Sequence, residues 1–181
     1  MNLPDPLDDL CRPLFTHLPL RDAMPTLVGE RPDDQAIALC QKLVAEPEIA
    51  ARPALVAGLW LYVDQLDRSH DVSQSLDTPT GSFWHGIMHR REGDFQNAHY
   101  WFRRTGTHPV YSRISAAGGS AASGTEVGGY DPHAFIDAVE RAQTEDNTGV
   151  PNPDGVAHPE LLSAQRREWS ELFAHCVEIR R

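Results

Sequence analysis

Four polar side chains recur on one face of a predicted helix over residues 82–92. Ser82, His85 and His89 stand three and four residues apart, and Glu92 extends the same face by another three. Side chains at this spacing are neighbours on an α-helix. Buried imidazoles cost free energy unless they are hydrogen-bonded or bind something. Because bulky apolar side chains would serve a packed helix better here, this face predicts a functional site.

The preceding predicted helix brings further polar groups toward this face. It carries His70 at the end of an apolar stripe, and Ser73 follows one turn later. The turn-forming residues 77–81 connect the two helices by a short path, which favours antiparallel packing. We therefore expect His70 and Ser73 to approach His85 and His89.

Three functions are compatible with these histidines, and the leading hypothesis is a binding protein. Its pocket would accept a small anionic molecule or a peptide carboxylate. Histidines would supply hydrogen bonds and an arginine the charge, because the guanidinium fork suits carboxylate and phosphate. The residues assigned to this pocket are His70, Ser73, Ser82, His85, His89, Arg90 and Arg91. In the second interpretation the histidines are purely structural, bonding the backbone and one another in a protein-interaction module.

The third function is a metal-dependent enzyme of hydrolytic type. His85 and His89 are four residues apart and could clamp one ion. His70 would complete an open site for a divalent transition metal such as zinc. Glu92 is then the candidate catalytic base, although it could equally pair with an arginine. Gly86 stands where a His-Glu-x-x-His motif needs glutamate, so the histidine pair alone is a weak metalloprotease signal.

The charge balance limits the partners that the chain could bind. The 181 residues carry a formal net charge of −10, which argues against nucleic acid as a partner. Residues 81–113 hold five arginines against two carboxylates, so this window is +3 and the rest of the chain is −13. The window therefore predicts either a solvated face or a local anion site.

Cysteine usage and apolar run lengths predict a cytoplasmic protein that does not enter the membrane. The three cysteines, Cys11, Cys40 and Cys176, are widely spaced and form no metal or redox motif, which indicates buried free thiols. The longest apolar run, 54–63, is too short to cross a bilayer. The first residues lack the basic and apolar segments of a signal peptide.

Hydrophobic periodicity predicts an all-α fold, a helical bundle of about six helices in a single domain spanning 1–181. Residues 1–32 are rich in proline and predict an extended N-terminal arm with at most one short helix. Glycine-rich and proline-rich composition predicts two flexible loops, 117–130 and 145–157. The six helices are expected over about 34–46, 53–76, 82–92, 95–105, 134–142 and 159–177.

Residues 82–109 resemble a single tetratricopeptide-repeat hairpin. The small, aromatic and turn positions of that pattern fall on Gly86, Gly93, Phe95, Ala98, Phe102 and Pro109. The resemblance implies two closely packed antiparallel helices in one repeat-like unit, because no second copy is present and a solenoid needs about three. The longer string from Ser82 to Pro109 is also similar to an uncharacterised family of bacterial and fungal proteins, which implies no activity.

Overall fold

The computed structural model describes residues 7–116, 129–147 and 158–179. Within these ranges the chain is helical and has no strand, which confirms the all-α class. The described residues form ten helices: α1 (Leu7–His17), α2 (Asp34–Val44), α3 (Pro47–Ala50), α4 (Pro53–Tyr62), α5 (Leu66–Ser73), α6 (Pro79–Glu92), α7 (Phe95–Thr105), α8 (Val110–Ala116), α9 (Pro132–Asn147) and α10 (Pro159–Glu178). No helix in these ranges is long and apolar enough to cross a membrane.

The expectation of about six helices is wrong, because one predicted long helix is two and three further helices of the described ranges lie outside the predicted spans. The predicted helix 53–76 breaks between α4 and α5 at Asp64, whose φ of 55° lies in the left-handed region. The Asp64 carboxylate accepts hydrogen bonds from the Arg31 backbone N–H at 3.1 Å and from Arg91 at 2.6 Å. Long-range partners thus hold a backbone conformation that helical periodicity does not reveal.

The other additional helices are short and lie outside the predicted spans. α1 occupies part of the predicted N-terminal arm, and α3 and α8 flank predicted helices. α6 begins at Pro79 rather than at residue 82, because the Thr78 side chain caps it by accepting from the Gly81 N–H. Of the two predicted loops, 117–128 and 148–157 lie outside the described residues, whereas 145–147 belong to α9.

The core forms where α4, α6 and α10 meet. A Cβ on Gly58 of α4 would lie 2.8 Å from the Trp84 ring and 3.3 Å from the Phe173 ring. The Trp169 indole donates to the Gly58 carbonyl at 2.7 Å. The missing side chain therefore lets aromatic rings of α6 and α10 rest directly on the α4 backbone.

α6 and α7 form a tight antiparallel hairpin. Gly93, with φ of 84°, ends α6, and Asp94 caps α7 by accepting from the Asn97 N–H. A Cβ at Gly86 would lie only 2.7 Å from the Phe102 ring, so glycine permits the close approach. The predicted span 95–105 is that of α7. The likeness to a tetratricopeptide repeat itself stays a resemblance.

Candidate metal centre

Three histidines converge between α5 and α6. His70 comes from α5, while His85 and His89 stand one turn apart on α6. One ligand atom from each lies within 4.8 Å of the other two, and no other such group of three occurs in the described ranges. Ring centroids are 4.7 Å apart for His70 and His85, 5.5 Å for His70 and His89, and 4.7 Å for His85 and His89. The predicted approach of His70 to the α6 pair is present.

His85 is a buried imidazole whose polar atoms are unsatisfied. Its exposed fraction is 2 %. Neither Nδ1 nor Nε2 has a hydrogen-bond partner among the described residues. Burial lowers the pKa of His85 to about 3, with smaller contributions from His89 and His70. The ring is therefore neutral at pH 7 and keeps a lone pair, which is the form that binds a metal ion.

An aromatic ring fixes the plane of His85. The Trp101 indole of α7 stacks on it at 3.9 Å between centroids and 15° between planes. His89 stacks on the same imidazole, also at 15°. Stacking orients the ring without using its nitrogens, so both stay available to a ligand.

His89 is oriented by a hydrogen bond instead. Its Nδ1 lies 3.1 Å from Oε2 of Glu92, one turn further along α6. Burial lowers the pKa of His89, and the carboxylates of Glu92 and Asp94 oppose that shift. A carboxylate on one ring nitrogen directs the other nitrogen, Nε2, toward a bound ion.

The spacing of the three ligand atoms is compatible with tetrahedral coordination. Bonds of about 2.0–2.1 Å from zinc to nitrogen place two ligands about 3.4 Å apart. Since the atoms here lie within 4.8 Å, they need to close by at most about 1.4 Å. His70 is half-buried whereas His85 and His89 are buried, so His70 has the most room to adjust.

The two predicted serines, Ser73 and Ser82, lie near the histidines on the same two helices. Ser73 is buried, and its hydroxyl donates to the His70 carbonyl at 3.3 Å. Ser82 is buried in α6 one turn before His85. Ser73 therefore contributes to the end of α5.

Arg90, predicted to supply charge to an anion pocket, is fully buried away from the histidines. Its guanidinium donates to both carboxylate oxygens of Glu168 and lies 4.3 Å from the centroid of the Phe135 ring. The Tyr130 hydroxyl also donates to Glu168. Burial opposes the charge of Arg90, but the Glu168 carboxylate outweighs it and raises the pKa of the arginine. The positive charge of Arg90 is therefore paired with Glu168 inside the protein.

The Arg91 side chain is also paired inside the protein. It donates to Asp64 at 2.6 Å and to the Gly29 carbonyl at 3.1 Å. Consecutive helical residues point about 100° apart, so His89, Arg90 and Arg91 must face three directions. This angular spacing can be read from the sequence, and it directs both arginines away from the helix face that carries the histidines.

The sequence analysis did not identify Trp101 as the ring that stacks on His85, or Glu168 as the carboxylate that pairs with Arg90. Glu168 carries a readable signal, because it shares one face of α10 with Leu161, Gln165 and Leu172, all of them buried. A carboxylate on a buried face requires a cation, and Arg90 is that cation.

Two other histidine groups differ from His85 in being hydrogen-bonded. His108 is 4 % exposed, its Nε2 lies 3.2 Å from the Thr80 hydroxyl, and its Nδ1 accepts from the Val110 N–H. His99 and His133 face each other with 2.7 Å between their Nδ1 atoms. Among these buried or part-buried imidazoles, His85 stands out in having neither nitrogen satisfied.

Comparison of the chain with family models, curated proteins and solved structures finds no match. The candidate centre is therefore defined by its geometry: three imidazoles from two helices, one of them with both nitrogens unpartnered.

Proposed function

We propose that the protein binds a divalent transition metal, with zinc as the best match, through His70, His85 and His89. The observation that carries the proposal is the buried, unpartnered imidazole of His85 within reach of two further imidazoles. An unsatisfied buried polar group costs about 1–3 kcal/mol. A bound ion would satisfy one nitrogen from each ring and offset that cost.

The donor set favours a particular class of metal. Three imidazole nitrogens suit zinc, copper, nickel or iron, whereas magnesium and calcium prefer oxygen ligands. Three protein ligands also leave one tetrahedral position for water or substrate, as in catalytic rather than structural zinc sites. Such an ion lowers the pKa of bound water and polarises a carbonyl or phosphoryl group. We therefore propose hydrolysis as the class of reaction.

The anionic-ligand pocket stays a prediction, and the structure offers less support for it. Both arginines that were to supply its charge are paired with buried carboxylates, Glu168 and Asp64. The second interpretation, structural histidines in a protein-interaction module, is the outcome expected if no metal binds.

Elemental analysis and calorimetry test the proposal. Protein made without a histidine tag, loaded with zinc and freed of excess, should retain about one equivalent. His70→Ala, His85→Ala and His89→Ala should each weaken zinc binding at least tenfold by titration calorimetry. His99→Ala is the matched control, because it removes an imidazole from the His99–His133 pair and should leave the affinity unchanged.

Two results would overturn the metal centre. One is retention of less than about a tenth of an equivalent by the loaded wild-type protein. The other is loss of binding in His99→Ala with retention in His85→Ala, which would place the ion at the other histidine pair.

A further inference from the structure

We infer that Glu92 is a positioning residue of the three-histidine centre, which holds His89 with Nε2 directed at the ion. This inference rests on the proposed function. Its basis is the contact between Oε2 of Glu92 and Nδ1 of His89 at 3.1 Å.

The end of α6 places the two groups together. Glu92 is the last residue of the helix and lies three positions after His89, so both side chains share one face. Gly93 then turns into the left-handed conformation and ends the helix. Because a rigid helix rather than a loop carries both residues, their separation is set by the backbone.

Among the described residues, no arginine pairs with the Glu92 carboxylate. The two arginines nearest in sequence are engaged elsewhere, Arg90 by Glu168 and Arg91 by Asp64. Within the described part of the chain, the ion pair of Glu92 is with His89. The alternative of an arginine salt bridge therefore does not hold in this structure, and the carboxylate is available to the imidazole.

The bond to His89 determines what Glu92 can do. A neutral His89 donates its Nδ1 proton to Glu92, which leaves the Nε2 lone pair for the metal and makes that nitrogen a stronger donor. Oε2 is occupied by this hydrogen bond and acts on the centre through the ring. His85 has no such partner and is held by the Trp101 stack, so the two α6 ligands are oriented by different means.

Cobalt titration tests this role, since Co²⁺ reports its ligand geometry by visible absorption. The proteins compared are wild type, Glu92→Ala, Glu92→Gln and Asp94→Asn. Glu92→Ala should weaken Co²⁺ binding by about 10–100-fold and alter the absorption bands. Glu92→Gln should recover most of the affinity and the wild-type bands, because the amide oxygen still accepts from Nδ1.

Asp94→Asn is the matched control for charge. Asp94 acts on His89 electrostatically without a hydrogen bond, and asparagine can still cap α7. It should bind Co²⁺ within about twofold of wild type. Circular dichroism and urea unfolding of the metal-free proteins should show all four folded alike, since the Glu92 side chain is 33 % exposed.

The outcomes separate this inference from the proposed function. If wild type binds no Co²⁺ and no zinc, the metal centre and the role of Glu92 both fall. If wild type binds but Glu92→Ala matches it, only the positioning role falls. Equal losses in Asp94→Asn and Glu92→Ala would also overturn the positioning role, because net charge alone would then explain the effect.

Discussion

Replacing His85 with leucine should stabilise the metal-free protein, although it removes a candidate ligand. The two unsatisfied nitrogens of His85 cost about 1–3 kcal/mol in the folded state. Leucine removes that cost and buries apolar surface. It also loses the stack on Trp101, which contributes about 0.5–1.5 kcal/mol. The balance is a net gain of about 1 kcal/mol.

Bound zinc should make the wild-type protein more stable than His85→Leu, which reverses the order expected without metal. Zinc at 100 times its dissociation constant stabilises a protein that binds it by about 2.7 kcal/mol. That gain applies to wild type and is lost in His85→Leu. The variant should therefore melt higher in a chelator, and wild type higher in zinc. For a chain of this size each kcal/mol corresponds to about 2–4 °C in Tm.

Thermal unfolding followed by circular dichroism measures the Tm of wild type and His85→Leu in chelator and in zinc. The matched control is His108→Leu. His108 is similarly buried but both nitrogens are used, by Thr80 and by the Val110 N–H. His108→Leu leaves the Val110 N–H without its acceptor, so the free energy of unfolding should fall by about 1–3 kcal/mol with or without zinc. If His85→Leu is destabilised in chelator as much as His108→Leu, the reasoning from unsatisfied nitrogens is refuted.

Two further predictions concern buried charge. Arg90→Met should destabilise the protein by about 3–5 kcal/mol in urea unfolding, because it leaves Glu168 buried without its cation. The double variant Arg90→Met with Glu168→Leu should recover most of that loss; no recovery would mean that the pair does not act as a unit. Stability should also fall between pH 6.5 and about 4, because burial and His175 lower the pKa of His108 to about 4 and the unfolded chain takes up a proton first. This contribution is about 3 kcal/mol, present above pH 6.5 and lost below pH 4. A loss of stability smaller by that amount in His108→Leu checks the assignment, because His85, whose pKa is lowered to about 3, still contributes in the variant.

The helix class and the histidine cluster could be predicted from the sequence because both depend on local spacing. His85 and His89 are set by one helical turn, and His70 follows from the short connection between α5 and α6. The number of helices could not be predicted this way. The break at Asp64 depends on Arg31 and Arg91, residues far away in the chain, and no local pattern reports such partners.

The arginines show that a local charge pattern can also predict a site that folding does not support. Their local charge suggested an anion site, yet the carboxylate that neutralises Arg90 lies on α10 and comes near only after folding. Composition windows count charges along the chain, whereas ion pairs form across it. A basic window is therefore weak evidence for a binding site unless each cation is shown to lie at the surface.

The histidines meet within a short stretch, from residue 70 to residue 89, whereas Arg90 and Glu168 are 78 residues apart along the chain. Closing a short loop costs little entropy and takes well under a millisecond in peptides. The imidazoles can therefore assemble while the carboxyl-terminal helix is still unattached, and the buried ion pair must come late. During synthesis, the candidate centre would be complete before the ribosome has released α10.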